Sequence, residues 1–269
     1  MMLAAAGILL LNMGARQSLG LFIAPLDDAR GLGLVSISFA FAVSQFVWGI
    51  AQPAFGALVE RWGSFKVIVL GSLLVALGTG LTPFAHSSAT LTLTLGILAA
   101  AGAGAGSFSI LIGWLARYLP DHRRAFAAGF INAGSSLGQF LFAPFTQWLI
   151  ETFGWVSALQ VLAVSALGVI PLAWALGRQV AAHPPPVLSG AALKLGAQIR
   201  SPLRDRSYLL LHLGFFTCGF HLGFLTTHLP GEVALCNLAP RVSANSLALL
   251  AAAVHLPIRE APLTRAVPT

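Results

Sequence analysis

Charge is scarce in this sequence. Only 9% of its 269 residues are Asp, Glu, Lys or Arg, against about 25% in a soluble domain, and that excludes an ordinary water-soluble globule. Acids are scarcer still. The eight are Asp27, Asp28, Glu60, Asp121, Glu151, Asp205, Glu232 and Glu260, all in or beside the gaps between apolar runs, so no carboxylate relay can be drawn through those runs. Cys218 and Cys236 are too few for a disulfide framework and have no metal-ligand spacing around them; Cys218 reads as a small packing residue. No H-E-x-x-H, nucleophile elbow or phosphate-binding loop occurs. The run Ala99 to Gly106, AAAGAGAG, lacks the strand and following acid of a dinucleotide loop. Nothing specific therefore supports an enzyme, a metal or a cofactor.

Hydrophobic residues make up 57% of the chain. Seven segments reach the ~20 mostly apolar residues that cross a bilayer: 2–26, 35–58, 66–86, 90–117, 125–149, 155–177 and 208–228. A backbone exposed to lipid must satisfy its own hydrogen bonds, so each is predicted to be a helix. The fold class is all-α, a polytopic transmembrane bundle. The first segment lacks the basic leader of a signal peptide and runs too long past any cleavage site; because it starts almost at Met1, a short basic leader is expected to be missing.

The net charge of +7 is topological and gives no reason to expect a nucleic-acid partner. With the N-terminus in the cytoplasm, the inner connections hold Arg61, Lys66, Arg117, Arg123, Arg124, Arg178, Lys194, Arg200, Arg204 and Arg206, and the outer ones Arg30 and Arg241. That bias follows the positive-inside rule, and a bacterial inner membrane is the expected location. Trp62, Trp114, Trp148, Trp155 and Trp174 lie near segment ends, where indoles anchor. Trp48 is the exception.

Residues 1–178 read as a six-helix bundle, and 179–207, with His183 and three prolines from Pro184 to Pro186, as a cytoplasmic linker. Residues 208–269 read as the truncated start of a second bundle: helix 7, then an apolar run over 242–256 too short to span. Polar stripes recur at helical spacing. Asn12 and Arg16 share a face, as do Ser38, Gln45 and Gln52, then Asn132, Ser135, Ser136 and Gln139, and then Thr217, His221 and His228. Helices 1, 2, 5 and 7 are expected to face water or protein. Helices 3 and 6, with scattered Ser72, Thr79, Thr82, Gln160 and Ser165, are expected to be more peripheral.

Arg16 is the only charge in residues 2–26. An arginine at mid-helix costs roughly 2.5–3.5 kcal/mol on insertion scales, so it marks a functional site with a partner elsewhere. With no carboxylate in the segments, an anionic substrate is the simplest partner. A structural arginine that snorkels to the interface or pairs within the bundle is the alternative.

The connection after the second segment reads Gly56-Ala-Leu-Val-Glu60-Arg61-Trp-Gly63-Ser-Phe-Lys66. It resembles the signature loop of the major facilitator superfamily, with Glu60 in place of the usual aspartate and Ser64 and Phe65 at positions often basic. The resemblance implies a loop that locks two bundles together on the cytoplasmic side. It covers residues 1 to about 250, roughly the first half of the family's twelve-helix fold.

The run Ala15-Arg16-Gln17-Ser18-Leu19-Gly20-Leu21-Phe22 further resembles the monocarboxylate and oxalate–formate branch, where a basic residue of the first helix helps bind a carboxylate. The implied function is alternating-access transport of a small organic anion, a monocarboxylate. Arg16 would neutralise the carboxylate, with Asn12, Asn132, Ser135 and Gln139 supplying hydrogen bonds. The last three serve equally as interhelical bonds. His221 is the one titratable group placed at mid-helix; a structural role on a packed face is its alternative. The arginine often found in the family's fourth helix is missing, so proton coupling through such a residue has no support; proton or counter-anion coupling by another route stays open. The rival readings are a non-functional truncated remnant of such a transporter and a membrane sensor or assembly partner.

Overall fold

The computed structural model describes residues 1–181, 205–236 and 238–253, and every described element is helical. Six continuous stretches are long and apolar enough to cross a membrane. They are α1 (Met2–Arg30), α2 (Leu34–Trp62), α3 (Ser64–Phe84), α4 (Ser88–Leu115), the double stretch Asp121–Val180, and α7 (Arg206–Val233). At 1.5 Å per residue the double stretch of 60 residues would be about 90 Å long if straight, three times a ~30 Å hydrocarbon core. It is not straight. Gly154 at φ 82°, a backbone only glycine adopts without strain, reverses the chain and divides the stretch into α5 (121–153) and α6 (155–180). The described residues thus hold seven helices of spanning length, the number of apolar runs in the sequence. A short helix, α8 (Pro240–Ala253, 14 residues), follows. At about 21 Å it is too short to span. Most of the expected linker, and everything after residue 253, lie outside the described residues.

The helices are locally interrupted where they must bend. Regular helix in α1 stops at Gln17, passes through a 3-10 turn over Leu19–Phe22, and resumes at Ile23. α2 carries Pro53 and α5 carries Pro144. α4 winds as a π-helix over Thr92–Ala99, a geometry enriched at functional sites.

Small residues let these helices approach. A Cβ at Gly134 would stand 2.5 Å from the Ala6 carbonyl oxygen, and one at Gly138 would overlap the Leu10 carbonyl, so α1 and α5 meet backbone to backbone. α3 and α4 do the same: a Cβ at Gly102 would be 2.5 Å from the Gly71 oxygen, and one at Gly78 equally close to the Thr94 oxygen. Helix association in lipid relies on such close packing because apolarity itself gives no preference for protein over hydrocarbon.

Two expectations are corrected here. α3 is not peripheral: half of its apolar window is buried, against 28% for α2. Of its polar groups and those of α6, Thr82 and Ser165 bond carbonyls of their own helix, whereas Ser72 and Gln160 are interhelical ties. Ser72 Oγ donates to the Ala166 carbonyl at 2.6 Å, and Gln160 Nε2 donates to the Gly80 carbonyl at 2.9 Å. Cys218, in turn, is exposed rather than packed inside the described bundle.

Candidate functional site

Arg16 stands on the last turn of regular helix in α1, next to the 3-10 interruption. Its guanidinium reaches α2, where Nη2 donates to the side-chain oxygen of Gln45. The Cζ atom lies 4.3 Å from the ring centroid of Trp48, so the cation rests on the aromatic face, an arrangement that strengthens when desolvated. Arg16 Nε is buried without a protein partner, as is Trp48 Nε1. Both partners of the guanidinium are thus uncharged. Among the described residues the ion pairs are Arg117–Glu60, Arg124–Asp121 and Arg241–Glu151, all at helix ends. The lone mid-helix arginine and the one tryptophan away from a helix end are a single feature.

Two cavities of about 20 Å³ each adjoin the guanidinium, each of a size to hold one water. Asn12, Ser44, Thr79 and the π-helical residues Leu95 and Ala99 contribute to the first. Ser44, Gln45, Thr226 and Thr227 contribute to the second. Asn12 is buried and its Nδ2 donates to the Ala103 carbonyl at 2.9 Å. Gly106 makes that approach possible, since a Cβ there would be 2.6 Å from Asn12 Nδ2.

Of the expected site residues, Arg16 and Asn12 come together. The others are elsewhere. No residue of α5 lines either cavity. Asn132 is exposed, Ser135 half-buried, and Gln139 buried with Nε2 lacking a protein partner. Gly134 and Gly138 take the α1-facing positions of α5, which moves this stripe off the Arg16 axis. His221 is exposed and lines neither cavity; α7 instead presents Thr226 and Thr227, one turn further on. Gln45 and Trp48 are additions that the sequence signalled only as a stripe member and as an interface exception.

At the other end of α2 lies the Gly56 to Lys66 motif, expected as a loop but helical on both sides of Gly63. Gly63 (φ 83°) ends α2, with its N–H donating to the Val59 carbonyl at 2.9 Å. Glu60 pairs with Arg117 at the end of α4, 3.1 Å apart and exposed. Arg61 and Lys66 point into solvent. Gly56, Glu60 and Arg117 line a cavity of about 630 Å³, completed by Gln52 and Ser109, which are hydrogen-bonded at 3.2 Å, and by Tyr208 and His212 of α7.

The profile of the Major Facilitator Superfamily matches residues 5–258. Monocarboxylate transporter 11 of Mus musculus is 33% identical over 224 residues, covering 79% of this chain and 48% of that protein. Monocarboxylate transporter 13 of Bos taurus is 31% identical over 219 residues, covering 79% and 50%. The oxalate:formate antiporter of Oxalobacter formigenes is 26% identical over 141 residues, covering 52% and 33%. The chain spans about half the length of the first two relatives.

Among solved structures, a bacterial homolog of the human lysosomal transporter Spinster superposes with TM-score 0.66 at 17% identity, over 93% of this chain and 59% of that one. A D-xylose-proton symporter gives 0.63 at 16%, over 93% and 65%. These structures share the fold. A profile match over most of the length shows the family, and relatives named as transporters and an all-helical bundle of the same fold agree with it: the chain is a multi-pass membrane protein and belongs to the Major Facilitator Superfamily.

Proposed function

We propose that this chain carries the substrate-binding half of a secondary transporter for a small organic anion with a single carboxylate, working by alternating access. The observation that supports it most is the cation of Arg16, which lies inside the first span with only Gln45 and Trp48 as partners. A guanidinium held in a bundle by neutral groups retains its full attraction for an anion. The Gln45 amide oxygen occupies the place a carboxylate oxygen would take, and swings aside when substrate arrives. A carboxylate then engages Nη2 and the unpartnered Nε as a two-pronged pair, the geometry guanidinium favours. The relatives named as monocarboxylate and oxalate:formate carriers support the same class of cargo.

The described contacts between the first six helices and α7–α8 gather toward one end. Gly20 meets Thr226, and Arg241 pairs with Glu151 at 2.7 Å. The 630 Å³ cavity lies at the end bearing the Gly56 to Lys66 loop. In the orientation set by basic residues this is an inward-open arrangement with a cytoplasmic N-terminus in a plasma membrane. Among the described residues the seven acids sit at or beside helix ends, so exchange against a second anion at Arg16 fits their placement better than a proton relay. Asn132, Ser135, Gln139 and His221 enter this scheme only if a later state of the cycle turns their faces toward Arg16.

The test is uptake of a labelled monocarboxylate into proteoliposomes containing the chain. Arg16→Gln should abolish uptake while expression and membrane insertion persist; undiminished uptake by that variant would refute the site.

A further inference from the structure

We propose that the preferred substrate is a monoanionic carboxylate with a bulky apolar tail, and that the tail lies in the crevice between α2 and α7. The inference rests on the reading of Arg16 as the carboxylate's partner. The crevice has a volume of about 660 Å³, well inside the 300–1,000 Å³ of ordinary ligand sites. Six rings line it: Phe41, Phe46 and Trp48 from α2, and Phe216, Phe220 and Phe224 from α7. Ser38, Gln45, Thr227 and His228 supply its polar groups, and no acid, lysine or arginine lines it.

Continuity with the cation assigns the occupant. Phe41, Gln45 and Thr227 line both this crevice and the small cavity at Arg16. Trp48 does double duty, carrying the guanidinium on its ring and forming part of the crevice wall. An anion held at Arg16 therefore has the crevice as the adjoining space for the rest of its body. Glycines widen it. A Cβ at Gly49 or Gly219 would meet no atom within 4 Å, whereas one at Gly223 would touch Gln45 Nε2 at 3.5 Å.

Charge decides what the tail is. A dicarboxylate would leave its second carboxylate among rings with no lysine or arginine to pair it, which is unfavourable once it leaves water. An aryl or branched hydrocarbon tail avoids that cost and gains apolar contact. The site thus selects by one charge at one end and none at the other.

Equilibrium binding to the purified full chain in detergent tests this, with labelled propionate and labelled 3-phenylpropionate as probes. We expect 3-phenylpropionate to bind at least tenfold more tightly than propionate, and succinate and 3-phenyl-1-propanol to compete with neither. Gly219→Leu, or Gly49→Leu from the opposite wall should the first variant express poorly, should pull the ratio of the two affinities toward one. Equal affinities for the two acids, or succinate competing as well as either, overturn the tail assignment while leaving the Arg16 site standing. Competition by the neutral alcohol also overturns it, because the rings would then be taking up any aromatic solute. Loss of acid binding in Arg16→Gln is expected; retention of it, or no acid binding to the parent chain, removes both readings together.

Discussion

α1 and α7 are both apolar enough to span a membrane, yet 67% of the apolar window of α1 is buried and 6% of that of α7. The difference lies in what each helix meets. α1 has Gly14 against Phe142 and faces Gly134 and Gly138 of α5. It also projects Asn12 to the Ala103 carbonyl on α4. On α7, a Cβ at Gly214, Gly219 or Gly231 would meet nothing within 4 Å, and its buried residues, Thr226, Thr227 and Val233, all lie in its last third. Apolar length inserts a helix; small residues facing small residues pack it.

Filling glycines on both helices should expose that contrast most strongly. Gly138→Leu pushes a side chain into the Leu10 carbonyl, and overpacking against backbone costs about 1–3 kcal/mol or more. We expect that variant to lose its thermal transition in detergent, while Gly214→Leu on α7 leaves the melting temperature within a degree or two. Equal losses would mean that α7 is as tightly packed as α1.

Next in size is Gln45→Glu. A permanent carboxylate beside Arg16 would satisfy the cation from within, so uptake should fall at least tenfold with the melting temperature unchanged or raised. Uptake at the parental rate would show that an anion at that position does not compete with substrate.

Ser72→Ala removes the 2.6 Å bond to the Ala166 carbonyl. Interhelical bonds in membranes average about 0.6 kcal/mol, so a small destabilisation with unchanged binding is expected. The smallest effect should come from Glu60→Gln, whose pair with Arg117 is exposed on both sides and worth less than about 1 kcal/mol of stability. A transport defect there without a stability defect would sharpen the gating role of the loop.

Much of the fold was legible because insertion into hydrocarbon writes a coarse signal, a run of some twenty apolar residues. The crossings, the reversal near Gly154 and the shortness of α8 all follow from it. Arg16 announced itself for the same reason, as a charge where none is tolerated cheaply.

Its partners did not, since helical spacing places Gln45 on a stripe and Trp48 off the interface without saying which helix that stripe meets. The α5 stripe misled for the complementary reason. Asn132, Ser135 and Gln139 share a spacing, but the faces nearest α1 went to Gly134 and Gly138. α3 looked lipid-facing because it has few polar groups, whereas its glycines made it a packing surface.

The touch between Gly20 and the Thr226 carbonyl ties α7 to α1 beside the break in the first helix. Any side chain at position 20 would push the two helices apart about one turn from Arg16, so a bare hydrogen there is what keeps Thr226 and Thr227 on the wall of the small cavity at the guanidinium.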